Sequence, residues 1–366
     1  MKMTSTDFKR DPLSALRDID GRTDRFLHLA IDNVNCTYIN DPILIGEVLS
    51  KQWPKFRKEF GYKKSRDLIQ EDLFSPKTVW PSPQEFASIS ESLGSIISDA
   101  FAQNSGSIKD LYGWCRTLTM RVFLETLLKG SVAAGVSQQE LEDATLEVVD
   151  LLGEVILQFP LNIDHLDQVD LQSHERLTSY AQLFVQHPHC AEATPGRAMT
   201  TILAGYEQMA SIMFWLLLHY SENPIGAGKE VGARQFLNEV IRLHSPIWTI
   251  MRRPKERIEL DLCVLEADSV IITSPWLMAR KSEFFPSAEK FYPERWNLDI
   301  PTFAFFPFSH GPRVCKGERF VRTAMYALLS ELQGCNGIKI HTTSSEVAHL
   351  IRVSAIPLTN VQAEFR

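Results

Sequence analysis

The segment Phe308-Ser-His-Gly311-Pro-Arg313-Val-Cys315-Lys-Gly317 carries the residue types best suited to chemistry. One cysteine stands between two glycines, with an arginine two residues before it and an aromatic seven before it. Val321, Ala324, Met325, Leu328 and Leu332 follow at helical spacing, which predicts a helix opening just after Cys315. At a helix mouth the unpaired backbone N–H groups and the dipole favour a thiolate over a thiol. Gly311 and Gly317 let the backbone turn tightly and approach a flat object closely. Together these features suit a soft anionic ligand held against a metal.

Two further groups stand out. Glu239 and Arg242 lie three residues apart, so on a helix they share a face and can pair; Pro246 then stops that helix. Gly205 sits within the helical run Thr200-Thr-Ile-Leu203-Ala204-Gly205-Tyr206-Glu207-Gln208. A glycine there costs about 1 kcal/mol relative to alanine, which implies a reason for it.

The elements that must position these groups are mostly helical. Asp11-Pro12 and Asp41-Pro42 each open a helix, Asp as cap and Pro at the first turn. Residues 26–31 and 36–39 read as two strands of a hairpin linked by 32–35. Three apolar stripes predict helices between Gln84 and Leu157: Phe86 to Phe101, Leu118 to Leu128, and Leu141 to Leu152. After Pro254 the chain turns strand-like at 258–260 and 270–272, and again from Ile338 to Pro357. The expectation is one domain over 1–366, mainly α with a smaller β-rich lobe assembled from both ends of the chain (α+β).

The cysteine segment resembles the haem-binding signature of the cytochrome P450 superfamily, Phe-x-x-Gly-x-Arg-x-Cys-x-Gly, and every fixed position is present. The resemblance implies haem b (iron protoporphyrin IX) as cofactor. Cys315 would be the thiolate metal ligand, Arg313 would bind a propionate, and Phe308, Gly311 and Gly317 would shape the loop. Phe291-Tyr-Pro293-Glu294-Arg295-Trp296 resembles the family's meander motif, whose arginine joins the Glu–Arg pair; that role falls to Arg295, giving the triad Glu239, Arg242 and Arg295. Arg252 matches a second propionate arginine, with Arg253 as the register alternative. Tyr62 to Arg66, followed by Phe74-Ser-Pro76, resembles the family's Trp-x-x-x-Arg helix, with Tyr62 in place of tryptophan.

The run at 204–208 resembles the oxygen-activating distal motif Ala-Gly-x-Asp/Glu-Thr. Ala204 and Gly205 would leave room over the iron, and Glu207 would relay protons. Gln208 replaces the usual threonine, and its amide is a poor proton relay. Three chemistries therefore stay open: monooxygenation, one-electron coupling of phenols or other aromatic rings, and peroxide-driven or rearrangement chemistry. By the same analogy Leu203, Ile247 and Trp248 would line the substrate cavity, with a packed aromatic of the β lobe as the other reading of Trp248. The stretches after Leu49, between the distal helix and Glu239, and from Phe159 to Thr200 are short for the family. A trimmed roof implies an open distal side and a large or carrier-bound substrate, or a partner that closes the site.

Composition narrows the class. The chain has 366 residues, 44% hydrophobic, and a net charge of −7, so concentrated phosphate binding is not expected and nucleic acid is excluded as main partner. Its six cysteines are scattered, which suggests a reducing, cytoplasmic compartment. The polar start, residues 1–10, reads as neither signal peptide nor membrane anchor. His187-Pro-His189-Cys190 reads as an exposed turn rather than a metal site. Lys316, Arg319 and Arg322 form either a docking face for an acidic electron-transfer protein, such as a ferredoxin served by its reductase, or a solvated helix surface. A P450-like fold kept as a non-catalytic helper is the rival from another class.

Overall fold

The computed structural model describes all residues except 1, 5, 7–9, 58–82, 104–105, 158–170, 186–194, 226–231, 262, 335–337, 353, 359–360 and 366. The Asp–Pro openings behave as their chemistry dictates. Asp11 accepts from Ser14 N at 3.0 Å to start α1 (Pro12–Asp20), and Asp41 accepts from Leu44 N at 2.9 Å to start α2 (Pro42–Gly46). Helix α2 runs on as a π-helical turn, Glu47–Lys51.

Strands β1 (Lys2–Met3), β2 (Phe26–Ile31), β3 (Val34–Ile39), β4 (Phe56–Arg57), β6 (Ile250–Pro254) and β9 (Val270–Thr273) form one sheet in the order β1-β2-β3-β9-β6-β4, with β5 (Ser107–Ile108) elsewhere. The expected hairpin is present, but its turn is two residues, Asp32 and Asn33, rather than four, and Asp32 takes φ 51°. Residues 34 and 35 pair with 31 and 30, which extends the second strand to its full length. Smaller sheets join β7 (Ile258–Leu260) to β8 (Cys263–Leu265) and β11 (Ala348–Ile351) to β12 (Ala355–Leu358); β5 and β10 (Ile338–Ile340) flank β13 (Ala363–Phe365).

The helical part comprises α3 (Pro83–Gln103), α4 (Leu111–Val122, prolonged by a π turn at Phe123–Leu127), α5 (Gln138–Leu157), α6 (Leu171–Gln182), α7 (Pro195–Glu222), α8 (Ala233–Leu243), the short α9 (Pro275–Met278) and α10 (Glu318–Gly334). The axis of this core is α7. It is long and apolar enough to cross a membrane, yet 83% of its most apolar stretch is buried inside the molecule, as expected of a core helix. Around it pack the stripes of α3, α4 and α5 and the inner face of α10.

A polar chain crosses this core. His219 Nε2 on α7 lies 2.8 Å from His244 Nε2, just past α8, and His244 Nδ1 lies 3.0 Å from His349 Nε2 on β11. Trp215 stacks on His244 with centroids 3.7 Å apart, and Phe291 stacks on His219 at 4.1 Å. Burial holds His244 well below its ordinary range and pushes His349 down to about 3, with neighbouring cations adding to both effects. Both imidazoles are therefore neutral in the fold but take a proton near pH 6.5 once unfolded. The unfolded chain then binds more protons, so stability is complete above pH 6.5 and falls as pH drops below it. The expected loss from pH 6.5 to roughly 5 is about 1.4 kcal/mol per pH unit for each histidine. Urea midpoints across this range measure it, and His349→Gln should remove about half of the slope.

Candidate active site

The cysteine loop is held by its own backbone. Cys315 N donates to Phe308 O at 2.8 Å, Val314 N to Gly311 O at 3.0 Å, and Glu318 N to Cys315 O at 3.3 Å where α10 begins. Cys315 is exposed in this loop. Gly311 has φ +69°, and a Cβ there would meet the Leu49 carbonyl oxygen at 2.5 Å and Ser50 Cα at 2.8 Å. Only glycine lets the loop lie against the π turn after α2 in this way. Gly317 is buried at the helix mouth. Phe308 sits under the Arg322 guanidinium, 5.2 Å from its ring centroid.

Two guanidiniums converge beside this loop. Alternation along β6 turns Arg252 inward, where it is 7% exposed, donating to Met251 O at 2.7 Å and reaching Ser309 Oγ at 3.4 Å. Burial, then the charge of Arg313, lowers its pKa to about 10. Arg253 faces the other way, donates to Asp268 O, and belongs to the outer side of the sheet. Arg313 donates to Phe56 O at 2.7 Å and lies 5.4 Å over the Trp53 ring, and its buried Nη1 has no partner among the described residues. Neither Arg252 nor Arg313 has a carboxylate partner among the described residues.

The triad joins α8 to the segment that precedes the loop. Glu239 and Arg242 are fully buried and Arg295 is 1% exposed. Arg242 grips Glu239 with two bonds, Nε to Oε2 at 2.9 Å and Nη2 to Oε1 at 2.8 Å. Arg295 gives only one, Nε to Oε1 at 2.9 Å, so the pairing is bidentate from one fork and not from both. The remaining nitrogens of Arg295 donate to the carbonyls of Pro286, Ser287 and Lys290. Tyr292 N and Trp296 Nε1 complete the carboxylate, at 2.9 and 3.0 Å. Neither of these last two donors was foreseen, though Trp296 stands next to Arg295 in the meander motif.

On α7, Ala204 is exposed and Gly205 and Gln208 are half-buried, within a helix whose other residues are almost all buried. A Cβ at Gly205 would meet Phe123 Cζ at 3.0 Å. The glycine thus admits the Phe123 ring. Phe123 also packs edge-on to Phe320 at 5.9 Å, tying α7 to the helix that follows Cys315. Glu207 is 2% exposed, and its Oε2 lacks a hydrogen-bond partner among the described residues, as does Gln208 Oε1. Burial pushes the Glu207 carboxyl up to about 7; Arg352 and Arg116 pull it back, and Asp150 pushes it up.

The remaining expected residues fall elsewhere. Trp248 is 3% exposed in the β-lobe core with Leu13, Leu16, Ile272 and Trp276, and its indole donates to Arg352 O at 3.2 Å. It packs as an aromatic of the β lobe there. Ile247 packs on the neighbouring cluster around Ile250 and Phe306, and Leu203 is 7% exposed in the helical core. Tyr62, Arg66, His187, His189 and Cys190 lie outside the described residues. Arg319 stacks over Phe86 at 3.9 Å, Arg322 pairs with Glu318 at 2.8 Å, and Lys316 is exposed.

A cysteine at a helix mouth, beside one buried and one half-buried guanidinium without carboxylate partners among the described residues, suits a thiolate held against a haem iron. Similarity to known proteins points the same way. The family model described as Cytochrome P450 matches residues 233–333. A probable cytochrome P450 4d21 from Drosophila melanogaster is 32% identical over 101 residues, 26% of this chain and 20% of its own. Cyclooctatin synthase from Streptomyces melanosporofaciens is 27% identical over 164 residues, 38% of this chain and 36% of its own. The match thus spans well under half the length of these curated relatives. The crystal structure of CYP175A1 from Thermus thermophilus has a TM-score of 0.79 at 22% identity, covering 100% of this chain and 99% of that one. A 6-coordinated cytochrome P450, also from Thermus thermophilus, gives 0.75 at 21%, covering 97% and 98%. Residues 233–333 thus match the cytochrome P450 family, whose members bind haem b, and the chain as a whole has the fold of the two Thermus thermophilus proteins.

The residues present fit that cofactor. Haem b carries two carboxylates, and the orphaned Arg313 nitrogen beside buried Arg252 suits them. Glu239→Ala should strand two buried guanidiniums, at a cost of about 3–5 kcal/mol. Haem content per protein should collapse, and a variant with full haem content and unchanged melting would contradict this account of the cradle.

Proposed function

We propose that the chain acts, as one domain over 1–366, as a haem-thiolate oxidoreductase that oxidises a small organic substrate. The observation that carries this reading is the Cys315 loop, opening α10 beside two guanidiniums, Arg252 buried and Arg313 half-buried, that have no carboxylate of their own among the described residues. Cys315 is the metal ligand, and Arg252 and Arg313 neutralise the propionates. Haem, when bound, supplies the redox-active iron for dioxygen activation, and a thiolate ligand favours O–O cleavage. The protein's own share is placement, exclusion of water and proton supply. Glu207 suits proton supply because, buried and titrating at about 7, it can hold a proton near neutral pH and surrender it.

Gln208 supports a second reading. It offers an amide where the family's distal motif has a hydroxyl, and one-electron coupling of aromatic rings makes smaller demands on proton relay than hydroxylation does. An aromatic or carrier-bound biosynthetic substrate fits either reading, and relatives named cyclooctatin synthase and alstonine synthase support biosynthetic chemistry. Electrons would come from an acidic carrier such as a ferredoxin with its reductase, docking near Lys316 and Arg319 in the cytoplasm.

Cys315→Ala tests the central claim. Wild-type protein should show the ferrous–CO Soret band in the shifted position of thiolate ligation, and the variant should lose it. Colourless wild-type protein would instead indicate a non-catalytic helper. In Glu207→Gln, oxygen-driven turnover should drop by about 10²–10⁴-fold with haem content intact. Wild-type turnover limited by this proton should rise as pH falls through about 7, because the donor is the protonated acid. A reduction rate that does not fall with added salt would remove the docking face.

A further inference from the structure

At the end of the β11–β12 hairpin, Arg352 N donates to Ser354 O at 2.9 Å. This tip is fastened on two sides. Ser211 Oγ on α7 donates to Ala355 O at 3.1 Å, and Ala355 N donates to Pro246 O at 2.8 Å. The Trp248 indole holds the carbonyl of Arg352 itself. Ser211 stands one helical turn beyond Glu207, so the fastening brings the hairpin tip alongside Glu207. The Arg352 guanidinium pairs with Asp150 on α5, and among the charges acting on Glu207 it is the strongest.

We propose that Arg352 is a positioning residue for proton handling by Glu207: one guanidinium, fixed at the hairpin tip, is shared between Asp150 on α5 and Glu207 on α7. While Asp150 holds it, its charge is largely cancelled and Glu207 keeps its proton. When that pair is broken, the guanidinium turns to Glu207 and the carboxylate form takes over. The two acids thus compete for one cation, and α5 has a direct electrostatic hand on α7. The other groups facing Glu207 are Arg116 on α4, which favours its charged form, Tyr112 on α4, and Tyr206 and Gln208 on its own helix. The tyrosines stay neutral because burial raises both phenols. Trp248 acquires a role as well, since its indole sets where the Arg352 backbone stands.

The inference rests on Glu207 being the proton donor of the proposed oxidoreductase, but its test reads Glu207 directly. The protonated carboxyl band of Glu207 is followed by infrared difference spectroscopy on the haem-loaded protein, against Glu207→Gln, as a function of pH. Haem content, recorded in parallel, reports separately on the enzymatic reading. Asp150→Asn should move the Glu207 midpoint down by about one pH unit or more, and Arg352→Gln should move it up by a similar amount. Arg352→Lys should stay near wild type. Removing Arg352 in the Asp150→Asn background should give a larger upward shift than in wild type, because the cation then sits on Glu207 alone. A midpoint unmoved by Asp150→Asn, or moved upward, overturns the proposal, as does an Arg352→Gln effect that is the same in both backgrounds. Should Arg352→Gln fail to fold, Asp150→Asn decides by itself, since that side chain is more than half exposed.

Discussion

A single carboxylate, Glu239, joins two stretches of chain that are far apart in sequence. It sits on α8, it is gripped by Arg242 one turn along, and it receives donors from Tyr292, Arg295 and Trp296 in the meander. Its two arginines carry the fastening outward to carbonyls at 279, 286, 287 and 290. A buried ion pair of this kind adds little net stability over an apolar substitute. What it adds is specificity, because a carboxylate that must be fully satisfied admits only one arrangement of the segments that satisfy it. The cysteine loop follows directly from that meander, so its position inherits the constraint.

The same physics separates structure from function among the buried arginines. Arg242 and Arg295 have a carboxylate and a set of carbonyls. Arg252 and Arg313 have carbonyls and a serine hydroxyl, and burial lowers the pKa of both. A cation kept out of water without a counter-charge costs free energy until an anion arrives. The first pair is therefore complete within the chain, while the second is complete only with an anionic ligand. This difference, more than the signature alone, supports the proposal that a cofactor's acidic edge sits at β6 and the loop.

Legibility in the sequence followed the range of the interaction. Caps at Asp11 and Asp41, the hairpin at 26–39 and the helix after Cys315 depend on neighbours a few residues away, and their residue types declared them. The turn at Asp32 came out shorter than expected because pairing register, not turn composition, set its length. The Glu239 network was legible only because two motifs could be joined by resemblance; Tyr292 enters through its backbone N–H, which no side-chain pattern encodes. The histidine chain was invisible, since His219, His244 and His349 come from three elements and share no spacing. Trp248 was ambiguous for the same reason: whether a strand-edge tryptophan faces a cavity or a core depends on a hairpin that returns a hundred residues later.

The distal side shows how local and long-range terms divide the work on one helix. Ala204 and Gln208 are four residues apart, so they share the open face of α7, while Gly205 and Glu207 flank it on either side. Gly205 is spent on contact with Phe123, and through Phe123 and Phe320 that contact couples α7 to the helix behind Cys315. Glu207 turns the other way, toward charges supplied by α4, α5 and the hairpin tip. A helix that carried only the motif would leave this acid either buried and permanently protonated or exposed and permanently ionised. The flanking elements hold it between these limits, so the proton affinity of Glu207 is a property of the assembled fold rather than of the motif in which it stands.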